Sequence, residues 1–348
     1  MNPALGIFYH ALGGFASGSF YIPFKRVRNW AWEVYWLVNG LFAWILAPWF
    51  IAYLTVPNLS SLLKQVPFSE LMWPTLFGVL WGIGGLTFGL TMRYLGMSLG
   101  YAMALGLTAA FGTLIPPIYL GQFSLIVSRT SGFVTLGGIL ICLIGIAVMG
   151  RAGILKDREL SEEQKMKQIK EFNLKKGIWV AVLAGVMSAC FAFGIAAGKP
   201  VAELAIDKGT PKLFSNNPVF IFILLGGFTT NFIWCMYLSI KNRTIGDYLK
   251  KQDTPIINNY FFSALAGLTW YFQFMFYGMG TTKMGAYDFA SWSIHMAFII
   301  AFSNMWGLIL KEWKGSSRAT IRTIFLGLFI LVISTIVIGI GNYIQTFE

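Results

Sequence analysis

Ten apolar stretches follow one another between Met1 and Glu348, and most of the segments between them are short. About 20 helical residues cross the ~30 Å of a bilayer's hydrocarbon, so each stretch is long enough to span. Open strand edges cannot be satisfied in lipid, and the spans therefore have to be helices. The expected spans are 3–22, 34–56, 71–92, 97–119, 131–150, 177–198, 218–240, 258–280, 285–310 and 322–344. Charged residues make up only 11% of the chain, against about 25% in soluble domains. The expected fold class is an all-α polytopic membrane protein.

A net charge of +12 raises the question of nucleic acid. The placement of that charge answers it. Of the 26 Lys and Arg, 20 fall on odd-numbered loops and 6 on even-numbered ones. This alternation is the positive-inside pattern. It predicts odd loops in the cytoplasm and both termini on the other side, with a bilayer rather than a nucleic acid as the partner. The basic cluster Lys25–Arg28 follows the first apolar run instead of preceding it, so span 1 reads as an uncleaved helix, not a signal peptide. Cys142, Cys190 and Cys235 all lie within spans, with neither a disulfide framework nor metal-ligand spacing. No metal or cofactor is expected.

Short matches recur at about half the chain length. Gly14, Ser17 and Phe20 in span 1 match Gly185, Ser188 and Phe191 in span 6. Leu136-Gly137 in span 5 matches Leu326-Gly327 in span 10. Two tandem units of five helices must insert with opposite topology, the inverted-repeat plan of many secondary transporters. The expected organisation is a first repeat over 1–150, a cytoplasmic connection over 151–176 and a second repeat over 177–348. Within the connection, Ser161–Gln164 reads as a capping box opening a short surface helix, with Glu163 and Lys167 at i, i+4. Gly78, Gly82, Gly85 and Gly89 share one face of span 3, which predicts a close helix-packing seam. Pro116-Pro117 should kink or end span 4.

Ionisable residues inside spans are costly and mark function by default. In span 9, Asp288, Ser291 or Trp292, and His295 recur at helical spacing and share a face. Asp288 is expected one turn inside the outer boundary, with His295 about 10 Å deeper. A carboxylate so placed suits proton coupling; pairing with Lys283 or helix capping is the structural alternative. His10 shares a face of span 1 with Gly14, Ser17 and Tyr21. In span 8, Trp270, Gln273 and Tyr277 form a polar-aromatic face of the kind that binds sugars, although aromatic segments in membranes also serve packing and interfacial belts. Asn39 and Asn231 are further buried amides. The candidate substrate-binding residues are thus Trp270, Gln273, Tyr277, His10, His295, Ser17, Asn39 and Asn231, with Asp288 for proton coupling.

Enzyme chemistry is not supported. Gly96-Met-Ser98-Leu-Gly100 fits G-x-S-x-G, but a nucleophile elbow needs a preceding strand, and here a tight inter-helix loop is expected. No zinc-protease, P-loop or dinucleotide fingerprint occurs. A transporter of small solutes remains, ahead of a membrane sensor or scaffold, which has no need of polar faces on spans 1, 8 and 9.

Several long segments resemble the L-rhamnose–proton symporter family of the drug/metabolite transporter superfamily. They are Phe20–Glu33, Gly89–Ser98, Glu171–Gly177, Trp270–Phe274, Tyr287–Met296 and Leu310–Trp313. The resemblance runs over nearly the whole chain and includes His10. It implies ten helices, inward movement of sugar with protons, and a bacterial inner-membrane location, in which the loop charges make both termini periplasmic. Ala196–Pro200 is longer than the family's run at that point and lies beside span 6, which bears on the identity of the sugar. The competing reading on the same fold is a drug/metabolite-type exporter or exchanger of another small solute.

The charge pattern makes a direct prediction. In a background lacking the three native cysteines, Leu160→Cys and Thr346→Cys should label oppositely with an impermeant thiol reagent. Position 346 should react from outside intact cells. Reaction of position 160 from outside would reverse the topology.

Overall fold

The computed structural model describes residues 2–119, 121–159, 173–249, 254–311 and 313–348. Secondary structure among them is entirely helical. The principal helices are α1 (Pro3–Ser19), α2 (Trp32–Gly40), α3 (Ala47–Thr55), α4 (Phe68–Tyr119), α5 (Thr130–Glu159), α6 (Leu174–Ala197), α7 (Asn217–Lys241), α8 (Ile256–Thr281), α9 (Ser291–Ile309) and α10 (Arg318–Ile344). Seven helical segments among the described residues are long and apolar enough to cross a bilayer. The chain is therefore polytopic.

Two features depart from the sequence expectation. The break between spans 3 and 4 does not form: α4 runs unbroken for 52 residues, about 78 Å of helix path at 1.5 Å per residue. Leu-, Met- and Ala-rich sequence flanks Arg93 and Gly96, and helix continues through them; the tight loop expected around Gly96–Gly100 is helical backbone. α4 ends at Tyr119, just after Pro116-Pro117. At the start of span 9, Gly285 adopts a left-handed φ of +70°, and Gly285–Ala290 forms a 3-10 turn before α9 begins at Ser291. Asp288 is thus carried on the 3-10 turn and not on α9 itself. The Ser161–Gln164 capping box and the Glu163–Lys167 pair lie outside the described residues.

Between α2 and α3 the backbone widens into a π turn over Leu41–Leu46, where the Ala47 amide bonds back to the Phe42 carbonyl. Pro48 follows immediately. Proline offers no amide to the carbonyl four residues earlier and its ring crowds that carbonyl, which gives the turn its cause. Insertions of this kind are frequent at functional sites.

The chain divides into two compact units, each drawn from both halves of the sequence. The first comprises 1–15, 84–192 and 280–348; the second comprises 16–83 and 193–279.

In the first unit α5 and α10 form an antiparallel pair. Gly138 meets Ile338, Gly145 meets Leu331, Gly327 meets Met149 and Gly341 meets Thr135, each too closely for an added Cβ. Small residues at these points let the two backbones approach. Gly137, by contrast, faces open space. The pair is clasped at both ends. The Glu159 carboxylate accepts hydrogen bonds from the Ser317 amide and from the Ser317 and Thr320 hydroxyls. The Glu348 carboxylate accepts from the Ser131 amide and hydroxyl. Each acid thus caps the partner helix's N-terminus, where amides lack intrahelical partners. Beside the pair lies an apolar core of Ile139, Met284, Ala290, Ile294 and Ile338.

In the second unit α7 is the central helix; Val219, Phe220, Ile221, Ile223 and Leu224 are all fully buried. A helix apolar on every side is a core helix or a membrane span. Gly78 packs on the Ile223 backbone and Gly82 against Thr230 and Gly227, with the Thr230 hydroxyl donating to the Val79 carbonyl at 3.0 Å. The expected glycine seam is therefore real at Gly78 and Gly82, whereas Gly85 and Gly89 face open space. Asn217 at the start of α7 donates to Thr55 at the end of α3, 2.8 Å away.

The clasp at Glu159 has a pH signature. Hydrogen bonds from Ser317, then Thr320, hold this exposed carboxylate below its ordinary range. Its folded pKa is depressed, so its stabilisation is complete above the unfolded value of about 4.3. It is lost as pH falls from there through the folded value. Amide hydrogen-exchange protection at Ser317–Thr320 should hold at neutral pH and drop in acid, and Glu159→Ala should lower it at neutral pH. Equal protection in the variant would remove the clasp.

Candidate functional site

In the first unit, α1 and α9 bring two histidines together. His10 is 0% exposed and His295 3% exposed. Their rings lie 6.0 Å apart, inclined edge to face at 63°. Room for His10 depends on Gly280, because a Cβ there would sit 2.6 Å from the imidazole. Two histidines selected separately from the sequence are thus neighbours. The turns around His295 are firmly held. The Ser293 and Thr113 hydroxyls are 2.8 Å apart. Trp292 Nε1 donates to the Thr108 carbonyl at 3.0 Å, and its ring stacks on Phe191. Trp292 therefore anchors α9 to α4, and Ser291 is buried beside it. Asp288 is exposed in the Gly285–Ala290 turn.

In the second unit, an aromatic cluster surrounds Trp270 on α8. Phe20 stacks on its ring at 4.5 Å, and Trp36 and Trp44 approach at 5.2 and 5.1 Å. Trp81 lies edge-on to Trp44 at 5.9 Å and to Phe274 at 5.5 Å. Asn231 is tied into the cluster: its side-chain oxygen accepts from Trp36 Nε1 at 3.1 Å, and its amide nitrogen donates to the Gly227 carbonyl at 2.9 Å. Losing that acceptor would leave the indole N–H buried and unpaired, a cost of about 1–3 kcal/mol. Asn39 is 0% exposed, and neither its amide oxygen nor its nitrogen makes a hydrogen bond; the same holds for Trp44 Nε1. Gln273 and Tyr277 are buried on α8, one and two turns beyond Trp270. Ser17 is half-buried on α1.

The second unit therefore holds Trp270, Gln273, Tyr277, Asn39, Asn231 and Ser17, and the first holds His10, His295 and Asp288. Phe20, Trp36, Trp44 and Trp81 were not singled out from the sequence. A signal for two of them was present: Trp32, Trp36, Gly40 and Trp44 recur every fourth residue and mark one face of span 2.

Chemically, stacked indole faces favour the C–H faces of a sugar ring, and buried amides and indole N–H groups favour its hydroxyls. Among the described residues no group of His, Cys, Asp and Glu is arranged to hold a metal ion.

Residues 1–343 match the family described as L-rhamnose-proton symport protein. An L-rhamnose-proton symporter of Shigella dysenteriae serotype 1 is 39% identical over 340 residues, covering 97% of each chain. One from Yersinia pestis (strain Pestoides F) is 38% identical over 346 residues, covering 98% of this chain and 99% of the relative. Matches of this length take in both units and every candidate residue above. The chain belongs to the L-rhamnose–proton symporter family.

Proposed function

We propose that this protein imports L-rhamnose together with protons across the bacterial inner membrane. The observation that carries the reading is the nearly full-length likeness to symporters of that name. The protein is accordingly a transporter and not an enzyme. Its architecture in this reading is ten transmembrane helices as two inverted five-helix repeats. The way each unit takes residues from both halves of the chain supports the two-repeat plan. Both termini are periplasmic in this reading, on the strength of the loop charges.

Trp270 is the sugar platform, because it has aromatic neighbours on several sides and is itself only half-buried. Gln273, Asn39 and Asn231 supply amides and Ser17 a hydroxyl; His10 and His295 are the candidate substrate-binding residues of the first unit. Asn39 and Trp44 carry polar groups without protein hydrogen bonds, which suits a hydroxyl-rich ligand. Buried polar groups are costly until paired, so a sugar that pairs them gains affinity over an apolar solute. The 6-methyl group of L-rhamnose needs an apolar wall, for which Phe274 or Tyr277 serves. Burying one methyl contributes about 0.8 kcal/mol, roughly fourfold in affinity. Stronger rejection of L-mannose then requires a pocket too tight for the extra hydroxyl. Asp288, exposed in its turn, is the proton-loading acid at the outer side.

Calorimetric titration of the detergent-purified protein tests the reading. L-rhamnose should bind, and Trp270→Ala should weaken binding about tenfold or more, the loss of at least ~1.4 kcal/mol. Unaltered affinity in the variant removes Trp270 from the site. Failure of the wild-type protein to bind L-rhamnose moves the function to another solute.

A further inference from the structure

Glu33 lies in the first turn of α2 and is 5% exposed. A carboxylate so buried is ordinarily paired with a cation or neutralised. Here its donors are uncharged. The Asn242 amide and the Thr244 hydroxyl, just beyond the end of α7, both reach Oε1, at 3.0 and 2.9 Å. That arrangement leaves Oε2 to take a proton. The neighbouring cluster of Trp30, Val34 and Val38, packed with Val27, Tyr248 and Ile256, is apolar and opposes hydration of the ion. The first-turn amides of α2 and the two donors favour it instead.

We propose that Glu33 is the carboxylate that holds and releases the coupled proton at the cytoplasmic side. This rests on the symport function proposed above and on its orientation, which puts the N-terminal end of α2 next to the basic Lys25–Arg28 loop. The step is a reversible protonation: an O–H bond forms at Oε2 when the proton arrives and breaks when it passes to cytoplasmic water. Oε1 keeps its bonds from Asn242 and Thr244 throughout.

Other titratable and charged groups surround Glu33. Tyr35 on α2, Cys235 on α7 and Tyr248 in the Ile245–Tyr248 turn feel its charge. Burial pushes the Tyr248 phenol up to about 12, against the opposing pull of the Ser239 hydroxyl. The Tyr260 hydroxyl on α8 donates to the Tyr248 carbonyl. Lys241 and Arg243 are exposed and Asp247 is half-buried.

Proteoliposomes and labelled L-rhamnose test the proposal, with accumulation driven by an imposed gradient and exchange measured without one. A gradient of about one pH unit supports up to about tenfold accumulation for one proton per sugar. The wild-type protein should accumulate the sugar. Glu33→Gln should lose that accumulation and fall to the equilibrated level, while still exchanging labelled for unlabelled sugar, because the amide imitates the protonated acid. Full accumulation by Glu33→Gln overturns the proposal and leaves the symport reading standing. Absence of accumulation in the wild-type protein overturns the symport reading and the proposal with it. If Glu33→Gln neither accumulates nor exchanges, Asn242→Ala decides. Removing a donor to the ionised form raises the acid's proton affinity, so the pH profile of uptake should move to higher pH. An unshifted profile means a structural role for Glu33 and overturns the proposal.

Discussion

Inside hydrocarbon there is no water to bond a backbone amide or carbonyl, and each group left unpaired costs several kcal/mol. That constraint makes every span a helix, and it also governs the polar side chains. Thr75, Thr91, Thr108 and Thr229 each return their hydroxyl to a carbonyl one turn earlier on the same helix. Others bond between helices: Thr113 with Ser293, Trp292 with Thr108, Trp36 with Asn231 and Asn217 with Thr55. These cross-links, added to the glycine contacts, hold helices together where apolar surface alone gives little drive, since lipid is as apolar as leucine.

Polar groups not absorbed into this framework carry the functional argument. Asn39 and Trp44 flank or occupy the π turn over Leu41–Leu46, and their buried side-chain groups are unpaired. Retaining such groups costs stability, so a compensating role in ligand binding gives their presence a reason. Glu33 poses the same problem in stronger form, because a carboxylate is costlier to bury than an amide. In the first unit two ionisable rings, His10 and His295, pack together in the interior, with Gly280 as the space that admits one of them.

Most helices were legible because an apolar run of the right length between basic loops has few alternatives in a bilayer. The Trp270–Gln273–Tyr277 face, the two histidines and the amides Asn39 and Asn231 were legible as polar positions within those runs. What stayed hidden depends on local backbone or on contacts distant in sequence. Arg93 beside glycines reads as a loop, yet helix formers on both sides carry α4 through it. The 3-10 turn at Asp288 depends on one left-handed glycine. The setting of Trp36 and Trp44 appears only when α8 brings Trp270 against them. Glu33 sits at a span boundary, where charge is expected and easily passed over; its burial appears only when Asn242 and Thr244, some 200 residues later, fold onto it.

The central claim is that sugar and proton move together. Proteoliposomes containing a pH-sensitive dye, with the membrane potential clamped and no pH difference imposed, test it most directly. Addition of L-rhamnose outside should acidify the interior as the sugar enters. Sugar entry without any change of internal pH would contradict the account.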